Sequence, residues 1–185
     1  QRRQVKNLER DETRLTRLVE ELSRVIADQG RKAAPARRNE QVPEATAEAS
    51  AAGSVFARLK GLLRLPVRGE LAGRFGSPRP DGGPPWKGLF IRAPAGQEVR
   101  AVAPGRVVFA DWMRGFGNLL ILDHGQGYLT IYGNNEAVLK GIGDMVRSGD
   151  AVATTGASGG SAESGLYFEM RQAGRPFDPM TWVGR

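Results

Sequence analysis

Hydrolytic metal sites and nucleophilic triads need histidines, cysteines or carboxylates in sets, and this chain of 185 residues is poor in such sets. It has one histidine and no cysteine, which excludes disulfides, thiolate ligands and any site built from two imidazoles. His124 sits in Leu122-Asp123-His124-Gly125-Gln126-Gly127, a tight connection between two apolar runs. Without partners it reads as a structural residue. Asp123, Asp144, Asp150 and Glu169 fall at the ends of turns and strands, where solvation or turn capping suits them better than a carboxylate dyad. The segment Gly165-Leu166-Tyr167-Phe168-Glu169 alternates like a strand, yet neither Gly165 nor Tyr167 offers the imidazole nitrogen that a catalytic zinc site uses.

The elements that would position these residues lie in a region rich in turns. From residue 64 onward, Gly82-Gly83, Gly115-Phe116-Gly117, Gly125-Gln126-Gly127, Gly141-Ile142-Gly143 and Gly159-Gly160 separate short apolar runs, the punctuation of a β protein. Strands are expected at 98–110, 118–123, 128–132, 150–155 and 166–171. No long helical pattern follows residue 64, so the fold class is mainly β with an antiparallel sheet. In the last strand Tyr167, Glu169 and Arg171 share one face, and Leu166, Phe168 and Met170 the other.

The first 63 residues differ in kind. Leu8, Leu15 and Leu22 repeat every seven, Leu18 and Val25 form a second row, and Val19 and Ile26 widen the stripe. This pattern predicts a helix over 1–29, which serves either as the end of a coiled coil or as an amphipathic helix packed on its own domain. Residues 30–63 read as a linker containing Pro35 and Pro43, followed by a short helical segment that Pro66 stops. The third unit is the domain at 64–185.

Net charge is +7, but it is spread along the chain. Residues 1–55 carry 11 basic and 9 acidic side chains, and 56–185 carry 16 and 11. With no dense basic tract interleaved with aromatics, nucleic acid is not an expected partner. No apolar run reaches the roughly 18 residues of a membrane span. The chain begins at Gln1 without a visible signal peptide, as expected of a fragment whose export signal lies upstream.

The runs at 93–112, 115–132, 143–160 and 165–171 together resemble the LytM (M23, lysostaphin-type) peptidase fold over nearly the whole domain. An active member would carry HxGxD, a histidine two residues after a tyrosine, and HxH. The resemblance places these on Trp86-Lys87-Gly88-Leu89-Phe90, Tyr132-Gly133-Asn134 and Gly165-Leu166-Tyr167. Trp86, Phe90, Asn134, Gly165 and Tyr167 thus stand where ligands or catalytic histidines are expected, which implies no enzyme activity, no metal and no cofactor. The segments 86–88, 132–134, 166–169 and the closing Trp182-Val183-Gly184-Arg185 are similar to the EnvC family of murein hydrolase activators, in which a degenerate LytM domain follows a long coiled coil.

That resemblance implies a non-catalytic activator of N-acetylmuramoyl-L-alanine amidases. It would act in the periplasm of a Gram-negative bacterium at the division septum, with its coiled coil engaged by the FtsE–FtsX complex. The former peptidase cleft would become an aromatic groove that captures an amidase helix, lined by Trp86, Lys87, Phe90, Phe116, Leu119, Tyr132, Asn134, Tyr167 and Arg171. A segment within residues 1–60 is expected to occupy that groove until it is pulled away. The alternatives are a peptidoglycan-binding module, with peptidoglycan as a further partner, or a structural scaffold of an envelope assembly.

Overall fold

The computed structural model describes residues 2–33, 55–80 and 82–184. The linker expected at 34–54 therefore lies outside the described residues. Helix α1 spans Arg2–Ala33. It contains no proline, and its one glycine lies near its end. Ten strands follow: β1 Glu70–Gly73, β2 Leu89–Arg92, β3 Glu98–Arg100, β4 Gly105–Met113, β5 Gly117–Asp123, β6 Tyr128–Val138, β7 Met145–Val146, β8 Ala151–Thr155, β9 Gly165–Gln172 and β10 Arg175–Phe177.

The spatial order is β1-β2-β9-β6-β5-β4-β7, with β10 on β9 and β8 joining β3 to β6. Each strand pair is antiparallel, as the sequence predicts. The expected strand 98–110 is two strands. Pro104 cannot donate to a ladder, and the chain changes neighbours there, from β8 to β5. In the other direction, β6 runs past Tyr132 to Val138 because its later part switches partner to β8. Strands β1, β2, β7 and β10 were not expected. They are two to four residues long, too short for a period-2 pattern to declare itself.

The central strands are apolar on both faces. Leu120, Leu122, Tyr132, Leu166, Phe168 and Met170 point into one core, and Leu119, Ile121, Leu129, Ile131 and Tyr167 into a second. The first core is closed by the segment entering the domain. Residues 55–58 form one helical turn that drives Phe56 between His124 (centroids 4.6 Å, stacked) and Trp182 (5.0 Å). The backbone of Trp182 accepts from Gly61 and Leu63 and so ties the C-terminal region to this plug.

His124 is fully buried and satisfied. Its Nδ1 lies 2.6 Å from Pro104 O, and Nε2 lies 2.7 Å from Thr130 Oγ1, which is 3.0 Å from Tyr132 Oη. A carbonyl can only accept, so Nδ1 carries the proton and neutral Nε2 accepts from the threonine hydroxyl. Burial pulls the imidazole pKa down to about 4. The folded value is below the unfolded one, so this contribution is complete above the unfolded pKa and is lost as pH falls from about 6.5 towards 4. In urea denaturation, the stability advantage of wild type over His124→Gln should shrink by about 2 kcal/mol between pH 7 and pH 5; an advantage constant with pH would contradict a buried neutral imidazole.

Candidate functional site

The second face of the sheet is a groove with an aromatic floor. Phe90 on β2 and Tyr167 on β9 are direct cross-strand neighbours and therefore share a face. Trp86, from the loop before β2, lies 6.2 Å from Phe90 and 6.3 Å from Tyr167, and Phe116 lies 5.6 Å from Tyr167. The Arg79 guanidinium sits over the Trp86 ring at 4.1 Å, within cation–π range. Leu119 is fully buried beneath them.

Asn134 adopts a left-handed backbone (φ 69°), which asparagine tolerates better than most residues. Its side chain is wholly committed. Oδ1 accepts from Gly159 N at 2.9 Å, and Nδ2 donates to Gly156 O at 2.9 Å and Gly165 O at 3.2 Å. Gly165 is held by sterics, because a Cβ there would collide with the Ile91 carbonyl and meet Phe90 Cζ at 3.0 Å.

A buried polar cluster completes the wall. Tyr167 Oη donates to Glu169 Oε2 at 2.8 Å, and Arg171 Nε donates to Glu169 Oε1 at 2.9 Å. Burial raises the Glu169 pKa, opposed by Arg171; burial and then the Glu169 charge push the Tyr167 hydroxyl well above its ordinary value. Glu169 thus departs from the solvated or turn-capping role expected of it, because alternation along β9 carries it inward between Tyr167 and Arg171. The three aspartates do cap turns: Asp123 accepts from Gly125 N, Asp144 from Gly141 N and Asp150 from Arg147 N.

A zinc site does not fit these residues. It needs three nitrogen, oxygen or sulfur donors converging on one point. Trp86 and Phe90 have no lone pair to give, Asn134 spends its amide on backbone, and Glu169 is bound by Tyr167 and Arg171. Among the described residues no group of three histidine, cysteine or carboxylate side chains is placed to hold a metal.

The groove has an occupant, helix α1. Leu15 and Val19 are buried in one cluster with Phe90, Phe116, Leu119 and Tyr167, and Leu18, Leu22 and Ile26 of the helix pack against that cluster, as do Val108, Phe109 and Met113 of β4. Val25, from the second heptad row, faces away and is 52% exposed. Polar contacts set the register. Glu12 pairs with Arg79 at 3.4 Å, and Arg171 donates to Thr16 Oγ1 at 3.3 Å. Asp11 lies so close to Gly115 (φ 88°) that a Cβ there would strike its carboxylate. Burial raises the Glu12 pKa, while Arg79 and then Lys87 lower it, which puts the Lys87 charge within reach of the helix. A cavity of about 190 Å³ remains between Leu8, Glu12, Arg79, Trp86, Phe116 and Tyr167.

Of the residues expected to line the groove, Trp86, Phe90, Phe116, Asn134 and Tyr167 border this cavity, Leu119 forms the floor, and Lys87 and Arg171 act on the helix. Tyr132 does not belong to it. Leu129 and Ile131 face the groove, so period-2 alternation sends Tyr132 to the other core. There its ring packs 5.3 Å from Phe168 and its hydroxyl accepts from Val102 N. Sequence reasoning missed Arg79, Glu12 and Thr16, whose roles depend on contacts across more than sixty residues of chain and leave no local pattern.

Residues 84–179 match the family described as Peptidase family M23. The chain is 41% identical over 126 residues to the murein hydrolase activator EnvC of Escherichia coli, covering 68% of this chain and 30% of that protein. It is 36% identical over 121 residues to the murein hydrolase activator NlpD of the same organism, covering 65% and 31%. It thus spans about a third of the length of these relatives. A zinc-containing peptidase from Vibrio cholerae superimposes with a TM-score of 0.59 at 28% identity, over 63% of this chain and 38% of that one.

Two buried aliphatic side chains are worth roughly 1.5–3 kcal/mol each in apolar transfer. The double substitution Leu15→Glu/Val19→Glu should therefore undock α1. In hydrogen exchange, amides of residues 5–26 should lose protection while β6 and β9 keep theirs; unchanged helix protection would disprove the docking. Separately, Arg171→Met strands a buried carboxylate and should cost about 3–5 kcal/mol in chemical denaturation, part of which Glu169→Gln on the same chain should restore.

Proposed function

The chain belongs to peptidase family M23, and on that footing we propose that it is a non-catalytic activator of murein hydrolases in the Gram-negative envelope. The observation that carries this reading is a helix seated in an aromatic groove lined by Trp86, Phe90 and Tyr167, the residues that the resemblance sets against the metal ligands of active peptidases. A surface that buries Leu15 and Val19 and pairs Glu12 and Thr16 is complementary to an amphipathic helix with an acidic residue on its flank. The names of the relatives supply the class of partner. The finer assignment is an N-acetylmuramoyl-L-alanine amidase of the periplasm, acting at the division septum, with the FtsE–FtsX complex as the partner that acts on the N-terminal helix and whatever precedes it.

On this reading α1 and a helix of the amidase compete for one groove. With α1 docked, the fraction of competent activator is small, and apparent affinity for the amidase falls by that fraction. A partner favours the open form only to the extent that it binds the undocked helix better than the docked one. Lys87, half-buried at the rim beside Glu12, would meet an acidic residue of the incoming helix and set its register.

Dye release from labelled sacculi by the amidase tests both parts. The undocked variant Leu15→Glu/Val19→Glu should stimulate release at least about tenfold more than wild type, since about 1.4 kcal/mol of lost competition is tenfold. Adding Lys87→Glu to the undocked variant should abolish most of that gain. Equal stimulation by wild type and the undocked variant would remove the competition, and no stimulation by either would remove the activator reading.

A further inference from the structure

A cavity of about 1210 Å³ is separate from the helix-covered groove. Its walls draw on the first core, and it is formed by residues 59–69, strand β3 with the residues after it, and the turn Ser148-Gly149. Leu59, Leu62 and Leu65 give it apolar surface, while Arg64, Arg68 and Arg100 line it against a single carboxylate, Glu98. Arg100 is already engaged, bonding Glu98 Oε2 at 3.0 Å and Gly149 O at 3.5 Å. Arg64 and Arg68 are exposed and have no ion pair or hydrogen bond among the described residues. Their wall is fixed to the sheet, since Pro66 O accepts from Arg100 N at 2.8 Å.

Concave sites with apolar walls and a few charged groups bind short ligands, and planar guanidinium groups favour carboxylates. No aromatic side chain lines the cleft, so it lacks the stacking platforms that single-stranded nucleic acids use. The charge and wall chemistry suit an extended peptide bearing several carboxylates and small aliphatic side chains. We propose that this cleft binds the carboxylate-bearing stem peptide of murein. The assignment rests on the reading of the chain as an activator of murein cutting, which makes murein the anionic polymer at hand. Arg64 and Arg68 donate to the peptide carboxylates, and Leu62 and Leu65 contact its methyl groups. Because the cleft shares no lining residue with the helix groove, the domain holds the wall and a partner helix at the same time.

The test uses the whole chain and no amidase, so it can fail while the activator reading stands. A purified disaccharide-tetrapeptide muropeptide is titrated into isotope-labelled protein, and the protein is sedimented with purified sacculi. Amide shifts should cluster at 59–69, 97–102 and 148–149. Arg64→Glu/Arg68→Glu, both exposed, should leave the thermal midpoint unchanged and weaken binding at least about tenfold, the value of one charge-assisted hydrogen bond. Amidating the muropeptide carboxylates should cause the same loss. Shifts centred on Trp86 and Tyr167, binding unaffected by the double substitution or by amidation, or no binding to either probe would each overturn the proposal.

Discussion

Strands β5, β6 and β9 carry apolar or aromatic side chains on both faces, so the sheet they form has to be covered twice. An uncovered face bearing Phe90, Leu119, Ile121, Ile131 and Tyr167 would present a contiguous apolar patch of the kind that isolated soluble domains rarely leave open. On one side the cover is local: the segment around Phe56 and the closing Trp182 come from the two ends of the domain itself. On the other side the cover is α1, which reaches the sheet from far away in sequence. The same physics that requires a cover makes it replaceable, because any helix with a matching apolar stripe satisfies it.

What makes the groove selective is the polar cluster within it. Glu169 and Arg171 are almost fully buried, a costly arrangement unless each charge is paired and its remaining valences are used. Tyr167, Gly174 O and Thr16 take up those valences. The cluster therefore ends on the helix, and a partner without a hydroxyl or acceptor near that position leaves an arginine donor wanting. Together with Arg79 and Lys87 acting on Glu12, it gives an otherwise greasy surface a preferred register and direction.

Much of this was legible from residue types alone. The turn glycines and alternating runs fixed an antiparallel β domain, and Gly165 and Tyr167 already told against a zinc centre. The face shared by Tyr167, Glu169 and Arg171 was also readable, because strand period is a local property. Misreadings arose where burial or neighbours decide. The resemblance puts Tyr132 with Asn134 in the groove, but alternation turns it into the other core and the left-handed bend at Asn134 sends only the latter to the groove. Glu169 looked like a solvated carboxylate because nothing in the local sequence reveals that an arginine two residues on will be buried with it.

The sequence by itself determined the fold class, the absence of a histidine-based metal site and the amphipathic character of the first helix, because each follows from residue chemistry or short-range periodicity. Only the tertiary structure decided where that helix goes. Leu15 and Val19 could have faced another helix just as well, and the stripe carries no information on its partner. The choice came from contacts more than sixty residues apart in the chain, Arg79 with Glu12 and Arg171 with Thr16, which exist only once the sheet has brought β9 and the loop before β2 to the same face.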